Sequence, residues 1–150
     1  MCTIAEMNGR VNELATKLGT IAVNVLDDMK SEVVNLQREQ MMDGRNKLGE
    51  EIGTYRSIVY ADMKHRMNPR PGNGVPDLRL TGAFHDGIKL ETSPASKTYV
   101  ITSTDPKTNA LIKKYGSKIF GLDSRSREIL IGQLGYKKNL VSAINFALQI

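Results

Sequence analysis

An apolar stripe within residues 4–25 constrains the fold of this chain more than any other feature of the sequence. Its members alternate at spacings of three and four, the a/d pattern of a helix seam. The stripe consists of Ile4, Met7, Val11, Leu14, Leu18, Ile21 and Val25. It continues with a shifted phase through Leu26, Met29, Val33 and Leu36, which predicts one long helix, or two nearly continuous ones, to about Gln40. The stripe suits either helix pairing between subunits or packing on the chain's own sheet.

Length and composition indicate one domain covering residues 1–150, because 150 residues with 40% hydrophobic side chains provide one modest core. The sequence has no apolar run of about 18 residues and no basic-then-apolar leader at its start, so we expect neither a membrane span nor secretion. Cys2 is the single cysteine, which excludes an internal disulfide and a cysteine zinc cluster.

The net charge of +5 is distributed unevenly along the chain. Residues 1–43 hold four basic and seven acidic side chains, whereas residues 81–150 hold ten basic and five acidic ones. The basic residues are scattered in pairs such as Lys113 and Lys114, rather than gathered in a run. This pattern is typical of solvated faces, and it also suits a surface that faces DNA or an acidic protein.

The middle of the chain combines a short helix with a proline-rich segment. Tyr55, Ile58 and Met63 belong to an apolar pattern that predicts a short amphipathic helix. Residues 67–76 contain three prolines, Pro69, Pro71 and Pro76, which fix φ and remove backbone donors. We interpret this segment as an exposed loop that either serves as an arm toward a neighbouring subunit or merely connects the two halves.

The second half of the chain, residues 77–150, predicts a hairpin followed by helices. A helical turn is expected over residues 78–84, and strands over residues 87–92 and 97–103 join through a short turn. Asp105 and Pro106 together are typical of a helix start, and Gly116 of a helix end. A last amphipathic segment after Asp123 is expected to break near Gly132 and Gly135. The predicted class is α+β, with a long N-terminal helix, a small antiparallel sheet built on a hairpin, and C-terminal helices.

No set of residues predicts catalysis, a metal site or a cofactor. Cys2 has no histidine near it in sequence, and His65 and His85 lack the spacing of a helical zinc site, so we expect surface or loop histidines. Asp77, Lys89 and Glu91 resemble a metal nuclease set, but their order is wrong for that chemistry. Aromatic residues are too sparse for a stacking platform, so any contact with nucleic acid is expected to be electrostatic.

Two groups of residues together form a sequence signature. The first group is Gly49, Ile52, Gly53, Tyr55, Tyr60, Ala61, Lys64, and Asp77, Leu78, Arg79, Leu80, Thr81, Gly82, Ala83 and Phe84. The second is Asp105, Lys107, Thr108, Leu111, Ile112, Tyr115, Gly116, Ile119, Phe120, Gly121 and Leu122. This signature resembles a family of small structural proteins of Bacteroidetes phages and prophages. The resemblance covers about residues 44–135, and the architecture of that family is similar to that of the virion morphogenesis and tail-completion proteins of tailed phages.

The resemblance implies a non-enzymatic virion protein that forms an oligomeric ring at the head-tail joint, as a neck, connector, terminator or tail-completion protein. The implied partners are further copies of the chain, portal and tail proteins, and packaged DNA; the implied location is the virion, assembled in the bacterial cytoplasm. Thr81 with Gly82 is expected to form a cap and tight turn before Phe84, and Tyr115 with Gly116 a chain reversal before a buried Phe120. The basic second half supports an alternative, a small phage protein that binds or processes nucleic acid.

Overall fold

Helices dominate the computed structural model, which describes residues 3–148 and confirms the predicted α+β class. The helices are α1 (Ile4–Asp28), α2 (Lys30–Met42), α3 (Ile58–Met67), α4 (Ala83–Asp86), α5 (Thr108–Tyr115), α6 (Ser124–Glu128) and α7 (Tyr136–Leu148). The strands are β1 (Ile88–Ser93) and β2 (Thr98–Ser103). A 3₁₀ turn at Ser117–Ile119 precedes α6, and a π-helical turn at Ile129–Gln133 follows it.

The long apolar stripe forms two helices that meet at Met29. This residue leaves helical geometry with φ −106° and ψ 26°, and its side chain is buried in the core. The break does not coincide with the phase shift of the sequence, which falls between Val25 and Leu26 inside α1. Leu26 of α1 and Val33 of α2 nevertheless pack in the same core. Although α1 is long, neither it nor another helix of the described part is apolar enough to span a bilayer.

The core lies where α1 and α2 pack against the hairpin and against α7. Strands β1 and β2 pair antiparallel, with Ile88 opposite Ser103 and Leu90 opposite Ile101. The apolar members of the core are Val25, Leu26, Met29, Val33, Met41, Ile52, Phe84, Ile88, Leu90, Ile101, Ile119 and Leu130. The predicted hairpin is therefore confirmed, and its buried face is the one that Ile88 and Leu90 share.

Two buried glutamines of α2 hold the segment that follows the 3₁₀ turn. Gln37 donates to the carbonyl of Ile119 (3.1 Å) and accepts from the amide of Gly121 (2.8 Å). Gln40 donates to the carbonyl of Gly121 (2.8 Å) and accepts from the amide of Asp123 (2.7 Å). Each glutamine amide thus donates to one backbone carbonyl and accepts from one backbone amide, as a neighbouring β-strand would.

Several helix boundaries differ from the sequence prediction for identifiable reasons. The helix expected to start at Asp105 begins at Thr108, because the Asp105 carboxylate accepts from the amide of Lys107 (2.7 Å) in a local turn. Of the turn expected over residues 78–84, only residues 83–84 are helical, as the start of α4, and Leu78 adopts a positive φ of 56°. Asp123 caps α6, accepting from the amide of Ser126 (2.8 Å).

Candidate functional site

An open groove of about 430 Å³ lies among α3, α5 and the segment between them that precedes α4. We call it the tyrosine groove. It is lined by Tyr55, Arg56, Ser57, Tyr60, Lys64, Pro76, Leu78, Arg79, Leu80, Thr81, Gly82, Phe84, Asp105, Lys107, Leu111, Lys114 and Tyr115. These residues are separated by up to sixty positions in sequence, so the groove exists only in the folded chain.

Aromatic rings form its walls. Tyr55 and Tyr60 meet edge to face with ring centroids 5.0 Å apart. Tyr115, at the end of α5, lies so close to the backbone of Gly53 that an added Cβ there would stand 2.9 Å from its ring. Gly53 therefore lets the chain before Tyr55 approach α5. This close approach explains the glycine at this position of the signature, and no direct contact of Gly53 with a ligand is needed.

A buried ion pair lies beside the groove and includes one residue of its lining, Lys64. Nζ of Lys64 lies 2.8 Å from a carboxylate oxygen of Asp77, and both side chains are almost completely buried. Asn68 donates to the same carboxylate (3.0 Å), as does the backbone amide of Arg79 (3.0 Å). Lys64 also donates to the carbonyl of Arg79. These bonds join α3 to the chain at residues 77–79.

The protonation of Asp77 follows from these contacts. Burial by itself raises the pKa of a carboxyl group. Here the hydrogen bonds from Lys64 and Asn68, followed by that from the Arg79 amide, outweigh burial and hold the pKa of Asp77 below its ordinary value. Asp77 is therefore ionised at neutral pH, and its carboxylate oxygens accept hydrogen bonds from groups within the protein rather than from a ligand.

His85 is buried beneath the same segment, which corrects the expectation of a surface or loop histidine. Its Nε2 lies 2.8 Å from the carbonyl oxygen of Asp77. Because that carbonyl can only accept, Nε2 carries the proton and donates. Burial lowers the pKa of His85, so the ring is neutral at pH 7. The other histidine, His65, is half-buried on α3, with Nδ1 enclosed and without a hydrogen-bond partner.

Tyr55 is also held in one protonation state. Burial raises its pKa well above the usual range, and the nearby charge of Asp77 adds to the effect. Its phenol stays protonated at physiological pH and does not serve as a base. Near the groove, the contacts of Asp77, His85 and Tyr55 thus favour one protonation state of each side chain at neutral pH.

Four cations surround the opening. Arg56, Arg79, Lys107 and Lys114 line the groove with exposed side chains, and none of them forms a salt bridge within residues 3–148. Asp105 is the one acidic residue of the lining. Lys114 lies 5.1 Å from the ring centre of Tyr115, within the range of a cation–π contact. The opening therefore carries an excess of positive charge beside aromatic rings.

The turn before α4 closes one end of the groove. Gly82 has a φ of 94°, which a residue with a Cβ adopts only at a cost, and it stands at the start of α4. The hydroxyl of Thr81 accepts from the amide of Ala83 (3.4 Å). Phe84 then enters the core, where its ring centre lies 5.9 Å from that of Phe120. The tight turn at Gly82 is as predicted, but the N-cap of α4 is Gly82 rather than Thr81, and α4 has no side-chain cap.

The groove brings together most of the residues that the sequence singled out. Those on its lining are Tyr55, Tyr60, Lys64, Leu78, Thr81, Gly82, Phe84, Tyr115 and Pro76. Gly116, Phe120 and Gly121 lie outside it. Gly116 ends α5 with a φ of 89°, Phe120 is half-buried rather than buried, and Gly121 lies between the two glutamines of α2.

The proline-rich segment packs against its own chain instead of standing away from it. Pro76 is fully buried, Pro71 is half-buried, and Pro69 is exposed. Arg70 pairs with both Glu39 and Asp43 of the α2 end, each at 2.8 Å. The expectation of an exposed arm is thus wrong for residues 75–76, because the core takes up their apolar side chains; the segment connects two parts of one fold.

Other candidates from the sequence do not gather into a site. Lys89 and Glu91 pair with each other at 2.5 Å on the exposed side of β1, whereas Asp77 is engaged with Lys64. Within residues 3–148 no group of three or more histidine, cysteine or acidic residues is arranged to hold a metal ion. Cys2 lies outside the described residues.

Sequence reasoning missed the convergence of the cations at the groove. Lys107 and Lys114 belong to α5 and its N-cap, whereas Arg56 precedes α3, and nothing in the sequence places Arg56 beside them. A weak signal was present, since each lies within eight residues of a tyrosine of the signature. Comparison of the chain with protein-family models, with curated proteins and with solved structures finds no match in any of the three.

Proposed function

We propose that this protein is a structural subunit of a tailed-phage virion, assembled as a ring at the head-tail joint, and that the tyrosine groove is a docking surface for a neighbouring virion protein. The observation that carries the proposal is the convergence of the signature residues on one open groove. Residues from positions 55 to 115 meet there, including Tyr55, Tyr60 and Tyr115. A surface of this kind, with aromatic walls and positive charge, is typical of protein contacts.

The chemistry of the groove supports a role in contact. Lys64 and Asp77 form a buried ion pair, and buried His85 donates to the backbone carbonyl of Asp77. These polar groups therefore bind within the chain and are not free to bind a partner. Tyr55 remains protonated. What remains available to a partner is the aromatic wall and the four cations at the opening, which favour an element that carries acidic side chains.

The outer face of α3 adds apolar surface beside the groove. Ile58 is 87% exposed and Val59 81% exposed, while the residues that α3 buries are Ala61 and Lys64. The sequence prediction of this helix is correct, but its apolar side does not face the core. Adjoining exposed apolar side chains of this size mark a site of protein contact.

The proposal is tested in particles of a phage or induced prophage that encodes this chain. Protein composition of purified virions, with immunogold electron microscopy, should place the protein in several copies at the junction of head and tail. Its absence from purified particles contradicts the proposed function.

A charge reversal tests the groove itself. R56E combined with K114E should leave filled heads and tails unjoined, because an acidic partner is then repelled. The control, R125E with K113E, makes the same charge change on exposed side chains outside the lining and should assemble normally. If heads and tails join equally well in both variants, the groove is not part of the head-tail contact.

The same four cations support a second function, binding of nucleic acid. Phosphates would occupy the opening, and affinity would depend on salt because bound counterions are released. In fluorescence anisotropy with a labelled oligonucleotide, this function predicts a large loss of affinity between about 50 mM and 200 mM salt. It also predicts weaker binding by R56E with K114E than by the control pair. A lack of binding at low salt excludes it.

A further inference from the structure

The first half of α1 is apolar on one face, and the rest of the described chain leaves that face open. Every residue from 4 to 13 is exposed, including Ile4 at 90%, Met7 at 59% and Val11 at 49%. The helix is nevertheless well started, because Thr3 and Glu6 form a capping box. About 15 Å of regular helix therefore presents an uncovered apolar stripe to solvent.

The stripe has the order of a coiled-coil seam over three heptads. Positions a are Ile4, Val11, Leu18 and Val25, and positions d are Met7, Leu14 and Ile21. Gly9 falls at f and Gly19 at b, both away from the seam. The two glycines weaken the helix, but they leave the seam without a gap.

The seam is continuous with packing inside the fold. At its C-terminal end Val25 is buried in the core, while Thr20 donates to the carbonyl of Pro94 at the hairpin turn (3.1 Å). The same row of side chains thus begins as an internal contact and continues outward past Leu18, which is exposed. A partner that extends this packing needs a helix with the same heptad spacing.

Charges beside the seam favour a second copy in parallel orientation. Arg10 and Lys17 occupy g positions, whereas Ala15 and Ala22 occupy e positions. In a parallel pair each g side chain faces an e position of the neighbour, which is alanine here. In an antiparallel pair the g positions face each other, so the arginine and lysine would repel.

We propose that copies of this chain associate through their α1 seams, parallel and in register, with residues 4–18 of each copy covering those of its neighbours. Parallel equivalent helices follow from cyclic symmetry about an axis along α1. The inference deepens the proposed ring and rests on it for its place in the virion, but the association itself is a property of the isolated protein.

Sedimentation velocity of the purified full-length chain at micromolar concentrations tests the association. The wild-type chain should sediment as an oligomer, and M7E combined with V11E should sediment as a single copy. Both positions are exposed, so the variant should retain its circular dichroism spectrum. The control, G9E with N12E, adds the same charge on the outer face, where an added Cβ at Gly9 meets nothing within 4 Å; it should remain oligomeric.

Crosslinking tests the orientation. In a C2S background, M7C should form a disulfide between copies, because parallel helices in register bring equal positions together. An equal mixture of M7C and L18C chains should yield mainly M7C with M7C and L18C with L18C, whereas antiparallel pairing yields the mixed product. A wild-type chain that sediments as one copy, or a mixed product in excess, overturns the proposal.

The proposed function and this inference can fail separately. Oligomers that depend on the seam, together with virions that lack the protein, would refute the virion role and support the inference. If virions contain the protein but M7E/V11E sediments in the same oligomeric state as the wild type, the virion role is supported and the inference is refuted.

Discussion

The first half of α1 and the middle of α2 reverse the usual relation between polarity and burial. In α1, Ile4 and Met7 are exposed, whereas in α2 Gln37 and Gln40 are completely buried. The glutamines are satisfied because each forms two hydrogen bonds to backbone within the chain. The apolar residues at the start of α1 have no equivalent cover from residues 3–148. The difference teaches that α2 satisfies its buried glutamines within the chain, whereas the first half of α1 has an apolar seam that the described residues do not cover.

The largest expected effect is on the polar interior near the groove. D77A leaves the ammonium group of Lys64 buried without its partner, and removal of one member of a buried pair costs about 3–5 kcal/mol. Urea denaturation should show this loss of unfolding free energy. D62A, which breaks the exposed pair of Asp62 with Arg66, should cost about 0.5 kcal/mol or less. Equal costs would show that the Lys64 pair is not buried in solution.

Next in size is the contact made by α2. Q37A leaves the carbonyl of Ile119 and the amide of Gly121 buried and unpaired, which should cost about 2–4 kcal/mol. Thermal and urea unfolding measure this cost, with N35A on the exposed side of the same helix as the control. A change as small as that of N35A would mean that the carbonyl of Ile119 and the amide of Gly121 find other hydrogen-bond partners when the glutamine is absent.

A smaller effect is expected from His85. Burial lowers its pKa in the folded state, so the unfolded chain, with an ordinary value of about 6.5, binds a proton more readily. Stability is therefore complete above that value and falls as the pH drops below it, by at most about 1.4 kcal/mol per pH unit. H85Q should flatten this part of the pH profile. An unchanged profile would show that His85 does not titrate on unfolding.

The smallest effect on a single copy is expected at the seam. M7E with V11E should change the unfolding free energy by less than about 0.5 kcal/mol, because exposed positions contribute little to the fold. The measurement is made at a concentration at which the chains sediment singly. A large loss would show that the two side chains are covered within the subunit, and it would erase the contrast with α2.

Much of the fold follows from local pattern. The apolar spacing locates α1 and α2, and the alternation at Ile88 and Leu90 locates the buried face of the hairpin. Many residues that line the candidate site were also singled out, but as motif or structural residues and not as one site. Their spatial convergence was not predictable, because Tyr115 reaches Tyr55 only through the packing of α5 near Gly53.

Where local pattern failed, a tertiary contact outweighed it. The apolar residues of α3 predict a buried face, yet the helix buries Lys64 because Asp77 lies in position to pair with it. His85 is similarly buried because a backbone carbonyl accepts its proton. The proline-rich segment resembles a free loop, but Pro76 fills space in the core.

The sequence by itself determined the helices, the hairpin and the existence of a seam, because these depend on the period of side chains along one segment. Only the tertiary structure decided which of those faces is covered. Burial depends on what other segments bring to the same place: a carboxylate for Lys64, extended backbone for Gln37 and Gln40, and no covering segment for Ile4 and Met7 within the described chain.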